Sequence, residues 1–244
     1  MGRSPLRRLE GRHVVVTGGG TGIGKAIAQR AAAEGARLTL LARDEDRLQG
    51  IVDGAVTRAC DVRDDAQVRA AFDGPLDALV ANAGIGGANH PGDGDRFDDI
   101  VQTNLYGTYR CIRAAEPHLP DGGRIVIISS ILARIGVADY TGYCASKAGL
   151  LGLTRALAAE LASRKIQVNA VCPGWVDTTM AWEGLDLWED KTREEAYEAA
   201  MEEVPLGRMS TPDEIAGTVA WLLSDDSSNL TGQTIDHNGG AWMG

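Results

Sequence analysis

Short runs of apolar, β-branched residues alternate with alanine-rich stretches of helical spacing almost from end to end of the chain. His13–Thr17, Arg37–Ala42, Ala55–Cys60, Asp77–Ala81, Arg124–Ser129, Ile166–Cys172 and Gln233–Asp236 read as strands. Gly22–Glu34, where Ile23, Ile27 and Ala31 share one face, reads as a helix. So do a short piece near Asp44–Gln49, a segment within Asp64–Phe72, Arg96 to about Leu119, Gly142–Ser163 and Pro212–Leu223. A strand such as Arg-Ile-Val-Ile-Ile-Ser is apolar on both faces and has to be covered on both. The pattern therefore predicts a parallel sheet between two helix layers. Right-handed crossovers make it a doubly wound α/β sheet of about seven strands. With 244 residues, no internal repeat and no linker-like stretch, one domain is expected over 11–244, preceded by an N-terminal extension, 1–10. Residues 178–205 are the least regular part and are expected to form a substrate lid.

The formal net charge of -10 argues against a nucleic-acid partner or an anionic membrane surface, since either needs a basic face. No apolar run approaches the roughly 18 residues of a membrane span. The basic start, Met1–Arg8, is followed by no apolar segment and does not read as a signal peptide. Cys60, Cys111, Cys144 and Cys172 are widely spaced and read as reduced core thiols, which places the chain in the cytoplasm. His13, His90, His118 and His237 are equally scattered, so no metal site is expected.

The first strand runs into Thr17-Gly18-Gly19-Gly20-Thr21-Gly22-Ile23-Gly24 and then a helix. Glycines there let the backbone turn sharply and approach a pyrophosphate at the positive end of the helix. The spacing is G-x-x-x-G-x-G, not G-x-G-x-x-G, and a plain tight turn is the competing interpretation. Its place between a strand and a helix at the start of the chain favours a Rossmann-type dinucleotide site. Tyr143 and Lys147 lie four apart on a predicted helix and share a face. A nearby ammonium would lower a phenol pKa of about 10, making the pair a general acid/base. Most Y-x-x-x-K pairs are ordinary helix surface, so the spacing alone decides nothing. Ser129 and Ser130 end an apolar strand at the sheet's carboxyl edge, where such folds bind ligands, and both are candidates.

Thr17–Gly24 resembles the cofactor loop of the short-chain dehydrogenases/reductases, and further matches follow in that family's order over roughly residues 10 to 240. Asp61-Val62 resembles the pair that holds adenine. Asn82-Ala83-Gly84 is similar to the family's stabilising N-A-G. Asn104, Ser130 and Tyr143-Cys144-Ala145-Ser146-Lys147 resemble the catalytic set, the serine standing thirteen residues before the tyrosine and so selecting Ser130. Pro173-Gly174, Val176 and Thr178 look like the nicotinamide-binding stretch, and Pro205–Arg208, Thr231–Gln233 and Gly239-Gly240 match as well. The resemblance implies hydride transfer between a nicotinamide and a carbonyl carbon. Ser130 would position the oxygen, Tyr143 would exchange the proton, and Lys147 would also bond the nicotinamide ribose. Asn104 would hold a water that connects Lys147 to solvent. Gly18, Thr21, Gly22, Ile23 and Gly24 would cradle the cofactor. The resemblance also implies a homotetramer (or homodimer), with Arg96–Leu119 and Gly142–Ser163 pairing across one interface.

In NAD-using relatives a carboxylate would fall at Ala42, where this chain has none. Arg43, one residue on, could pair with a 2′-phosphate, which favours NADP(H). Asp44 would restore NAD(H) if the register shifted by one, or would cap the next turn. The substrate pocket is expected to be lined by Ile131, Leu132, Ile135, Trp175, Met180 and Trp182, with Trp188 nearby, although any of them could be core. Together they suggest a mostly apolar small-molecule carbonyl or alcohol. Nine acidic and two basic side chains between Glu183 and Glu203 disfavour polyanionic substrates. A ketone reductase or alcohol dehydrogenase is thus expected ahead of a 3-oxoacyl-(carrier protein or CoA) reductase, a role that Arg134 and Arg164 keep open. A non-catalytic NAD(P)-binding regulator is the reading from another class.

Overall fold

The β-rich runs become seven strands: β1 (His13–Thr17), β2 (Arg37–Ala42), β3 (Val56–Ala59), β4 (Ala78–Ala81), β5 (Arg124–Ile128), β6 (Gln167–Pro173) and β7 (Thr234–His237). They pair in parallel in the order β3-β2-β1-β4-β5-β6-β7, in a computed structural model that describes residues 7–244. The outer part of the expected extension, 1–6, lies outside the described residues. Strand ends agree with the sequence pattern to within a residue.

Period-two alternation explains the layers. In β5, Ile125 and Ile127 face α4 (Gly107–Ala115) and α5 (Thr141–Glu160), where Cys111, Ile112, Leu150 and Leu157 complete one core. Val126 and Ile128 face the other way, towards α1 (Gly22–Ala33) and α8 (Pro212–Leu223), with Ile27, Ala28, Val219 and Leu222. The chain leaves β1 for β2 and β3 on one side and returns to β4 on the other. This switch opens a crevice beyond the carboxyl ends of β1 and β4, the usual ligand site of a doubly wound sheet.

Two stretches depart from the expected pattern. The helix expected over Arg96–Leu119 is divided into α3 (Phe97–Val101), a π-helical turn at Gln102–Tyr106, α4, and a 3₁₀ turn at Glu116–His118. The stretch 178–205 is more regular than expected and contains α6 (Thr179–Leu185) and α7 (Arg193–Glu202). A capping box between Thr192 and Glu195 starts α7. Leu185, Ala196, Ala200, Met201, Val204 and Met209 close a small third core there. The remaining helix, α2 (Asp65–Ala71), is capped by Asp64.

Ahead of β1, Leu9 is fully buried in the α1–α8 layer. Beside it the buried Glu34 accepts from Arg8 through both nitrogens (2.8 and 2.7 Å) and from Arg30 Nε (2.5 Å). Burial opposes the charged form of Glu34, but the hydrogen bonds from Arg8 and Arg30 outweigh it and hold the carboxyl below its usual range. A depressed carboxylate pKa contributes stability above the unfolded value, and that contribution is lost as pH falls through the folded value. Glu34→Gln should therefore cost about 2 kcal/mol at pH 7, less than a fully buried pair because Arg30 remains partly solvated. The deficit should shrink on acidification below the carboxylate range, as urea midpoints at several pH values would show.

Candidate active site

The crevice begins with the glycine loop. Gly18 and Gly22 take φ of +67° and +49°, the left-handed region that side chains disfavour. The loop is tied to the end of β4: the amides of Asn82 and Ala83 donate to Thr17 Oγ1 at 3.0 Å each. Asn82 Nδ2 donates to the carbonyls of Thr17 (3.0 Å) and Gly18 (3.1 Å). Thr21 is exposed at the start of α1, and Ile23 packs on the core below. A Cβ on Gly22 would lie 3.2 Å from the Thr178 methyl, so this helix start and the segment after β6 face each other across the crevice. The bare backbone and the acid-free first turn of α1 fit a dinucleotide diphosphate.

At the far end of the crevice, Arg43 is exposed just past β2. Asp44 caps the following 3₁₀ turn, accepting from the Asp46 amide (3.2 Å), and pairs with Arg47 (3.3 Å). Asp61 is bound by Arg63 (2.7 Å), which also reaches Asp99 (2.8 Å). The Arg63 hydrogen bonds hold the Asp61 carboxyl below its usual range, with Arg43 adding to the effect. Val62 is buried where a Cβ on Gly107 would come within 2.5 Å, fixing the β3 end against α4.

Asn104, Ser130, Tyr143 and Lys147 converge between β4, β5 and α5. Asn104 sits in the π-helical turn, fully buried, where the extra residue re-aims it. Its Oδ1 accepts from the Ile85 amide (2.8 Å), and its Nδ2 donates to the Ile85 carbonyl (3.0 Å) and Ser146 Oγ (3.2 Å). A Cβ on Gly84 would stand 3.1 Å from Asn104 Oδ1 and 3.6 Å from Lys147 Nζ, so this glycine leaves the space between them open. Lys147 Nζ donates to the Ile128 carbonyl (2.9 Å) and lies 5.6 Å from the centre of the Tyr143 ring.

The expected lowering of the Tyr143 pKa is not found. Burial pushes Tyr143 up to about 12, against a downward pull from the Ser130 hydroxyl, and burial pushes Lys147 down to about 8. With Nζ turned to a carbonyl, the cost of removing charge from water governs both groups.

The two serines separate cleanly. Ser129 Oγ donates to the Lys147 carbonyl (2.8 Å), a buried tie between β5 and α5, whereas Ser130 Oγ accepts from the Leu132 amide and faces Tyr143. Ser129→Ala should cost about 1–2 kcal/mol of stability and spare most of the turnover. Ser130→Ala should leave the melting temperature near the parent value and slow turnover about 100-fold. Thermal melts beside initial rates would distinguish the pair.

The residues expected around the substrate divide into two groups. Ile131 and Leu132 form the turn after Ser130, and Met180 reaches Gly86, where a Cβ would lie 3.1 Å from its sulfur. Trp175 and Trp182 are partly buried and pack against the third core, with Trp182 stacked on Tyr197 (5.7 Å) and donating from Nε1 to Asp177 (2.7 Å). Gly174 is pressed against Asn238, and Val176 bridges to Ser210. Pro173 pairs with His237 at the edge of the sheet.

Three features escaped the sequence reading. Buried Asn89 holds the start of α5, accepting from the Gly142 amide (2.9 Å) and donating to Thr141 Oγ1 (2.9 Å). Arg134 is committed to Asp236 (3.2 and 3.1 Å) and lies over Trp242 (4.5 Å). Arg164 donates to the carbonyls of Glu116 and Leu119. Only proximity in the fold reveals these pairs, because their members are far apart in sequence.

A family model described as enoyl-(acyl carrier protein) reductase matches residues 18–241. The chain is 35% identical to 3-oxoacyl-[acyl-carrier-protein] reductase MabA of Mycobacterium tuberculosis over 243 residues, 96% of this chain and 94% of that protein. It is also 35% identical to 3-oxoacyl-[acyl-carrier-protein] reductase FabG of Staphylococcus aureus, over 95% of this chain and 98% of that one. Among solved structures, aldohexose dehydrogenase of Thermoplasma acidophilum superposes with a TM-score of 0.89 at 31% identity, covering 97% and 96% of the two chains. Because these likenesses extend across nearly the whole length, the chain belongs to the short-chain dehydrogenase/reductase family, NAD(P)-dependent oxidoreductases that act on CH–OH groups.

Proposed function

We propose that the protein reduces a mostly apolar, small-molecule ketone to a secondary alcohol with NADPH, Asn104, Ser130, Tyr143 and Lys147 being its catalytic set. The observation that carries this reading is the convergence at the sheet's carboxyl edge of Ser130, just past β5, with Tyr143 and Lys147 of α5, the Lys147 Nζ lying 5.6 Å from the centre of the Tyr143 ring. Ser130 orients the carbonyl oxygen, and Tyr143 donates its proton to that oxygen. The bound nicotinamide supplies the hydride. Lys147 stabilises the phenolate left behind, and the space kept open by Gly84 admits a water between Asn104 and Lys147 for reprotonation. Gly18, Thr21, Gly22, Ile23 and Gly24 cradle the diphosphate, Asp61 and Val62 hold the adenine, and Asn82, Ala83 and Gly84 support the loop. Pro173, Gly174, Val176 and Thr178 flank the nicotinamide. Arg43 favours a 2′-phosphate, while Asp44 is occupied as a cap.

Ile131, Leu132 and Met180 line the substrate side, and 178–205 forms the lid, with Trp175 and Trp182 stiffening it from within. A carrier-bound 3-oxoacyl thioester is the second reading, favoured by the names of the relatives. Against it stand the acidic lid and the commitment of Arg134 and Arg164 to partners within the fold. Initial rates with NADPH and NADH on cyclic ketones, the acetoacetyl thioester of N-acetylcysteamine and acetoacetyl-CoA would decide. A higher kcat/KM for acetoacetyl-CoA than for every uncharged substrate would overturn the first reading in favour of the second.

Tyr106 and Tyr109 stand half-exposed on the π turn and α4, where a second copy could pair with α4 and α5 in a homotetramer. Light scattering tests this. All four cysteines are free, in keeping with a cytoplasmic protein, and no helix of the described residues is long and apolar enough to cross a membrane.

A further inference from the structure

A cleft of about 460 Å³ opens between the glycine loop and the lid, lined by Gly22, Thr178, Asp177, Trp182, Glu183 and Arg193 among others. Among the described residues two carboxylates line it and only one cation, Arg193, which reaches it from the first turn of α7. A diphosphate seated at Gly22 would meet Asp177 and Glu183 as like charges. The α1 helix start cannot offset two carboxylates and a diphosphate alone, since its field falls off within one turn.

Resting on the assignment of Gly18–Gly24 as the dinucleotide cradle, we propose that Arg193 is a lid-borne ligand of the cofactor diphosphate, held in reserve by Asp186. Arg193 Nε donates to Asp186 Oδ1 (2.8 Å) and a terminal nitrogen to Oδ2, while the guanidinium carbon lies 5.7 Å from the centre of the Trp182 ring. The pair is half-exposed, so releasing it costs little. A diphosphate offers the same planar fork two oxygens and more charge. Trp182, fixed by Asp177 and by its stack on Tyr197, is the platform along which the guanidinium turns from carboxylate to phosphate. The lid is thereby drawn down by the cofactor itself.

Calorimetric titration of the purified full chain with NADPH and NADH tests this without any turnover. For whichever dinucleotide binds tighter, Arg193→Ala should raise Kd about 10-fold, and Arg193→Lys should recover only part of that loss. Asp186→Asn should lower Kd about 3-fold by freeing the arginine. A merely structural salt bridge would loosen the lid in both variants, moving the two Kd values the same way. Shifts in the same direction, or no shift in Arg193→Ala, would overturn the proposal. Failure of the unmodified chain to bind either dinucleotide would overturn the cradle assignment as well, and is recognisable because it precedes any substitution.

Discussion

Tyr143→Phe is expected to lower carbonyl reduction by about 10³-fold, within the range for losing a positioned proton donor. This corresponds to roughly 4 kcal/mol of transition-state stabilisation. The substitution removes one hydroxyl and keeps the ring, so dinucleotide affinity and thermal stability should remain near the parent values. The same site sets a pH dependence. Tyr143, pushed up to about 12, keeps its proton throughout the neutral range and is armed as an acid. Lys147, pushed down to about 8, loses its charge as pH rises through that value, and the phenolate formed in each turnover then loses its stabilising cation. Reduction should hold steady below pH 8 and decline above it. Lys147→Arg, whose guanidinium does not titrate there, should abolish the decline at a lower plateau. Near-full turnover in Tyr143→Phe with a good substrate would remove Tyr143 from the mechanism.

The parallel sheet was legible because its strands are apolar on both faces, a pattern few other folds use. The order of glycine loop, Asn82-Ala83-Gly84, Ser130 and Tyr143–Lys147 along the chain likewise projects directly onto one sheet edge, since successive strands deliver their carboxyl ends to the same side. What stayed hidden depends on contacts between distant residues. Asn104 reads as an unremarkable helix residue until the π turn swings it onto Ile85. Helical order in 178–205 was obscured because its apolar seam is thin, essentially Leu185, Ala196, Ala200 and Met201, although the Thr192–Glu195 capping box was present in the sequence. The directions of the Tyr143 and Lys147 pKa shifts were hidden for a related reason. Spacing placed an ammonium near a phenol, but could not reveal that Nζ would turn to the Ile128 carbonyl and that burial would govern both groups.

Gly24→Ala should disable the protein more completely than its size suggests. Gly24 does not need a positive φ, so the constraint is steric. A Cβ there would lie 2.1 Å from the Gly18 carbonyl oxygen and 2.5 Å from Asn82 Nδ2, two groups already hydrogen-bonded to each other at 3.1 Å. Alanine would gain up to about 1 kcal/mol in helix propensity. Against that stand overpacking of about 1–3 kcal/mol and a buried hydrogen bond broken for about 1–3 kcal/mol more. The balance is a net loss of about 1–6 kcal/mol, concentrated in the loop that holds the diphosphate. Displacing Gly18 also strains its own amide, which donates to the Leu41 carbonyl (2.7 Å), so the disturbance reaches β2 and the adenosine end of the crevice. Dinucleotide affinity should fall at least about 100-fold. Gly19→Ala is the matched control. Its Cβ would meet the Leu40 Cδ2 methyl at 3.2 Å, a contact relieved by a shift of a few tenths of an ångström where the Gly24 clash is not, and binding should change by less than about 3-fold. Equal affinities in the two variants, by calorimetry, would mean that the loop does not derive its shape from the Gly24–Gly18 approach.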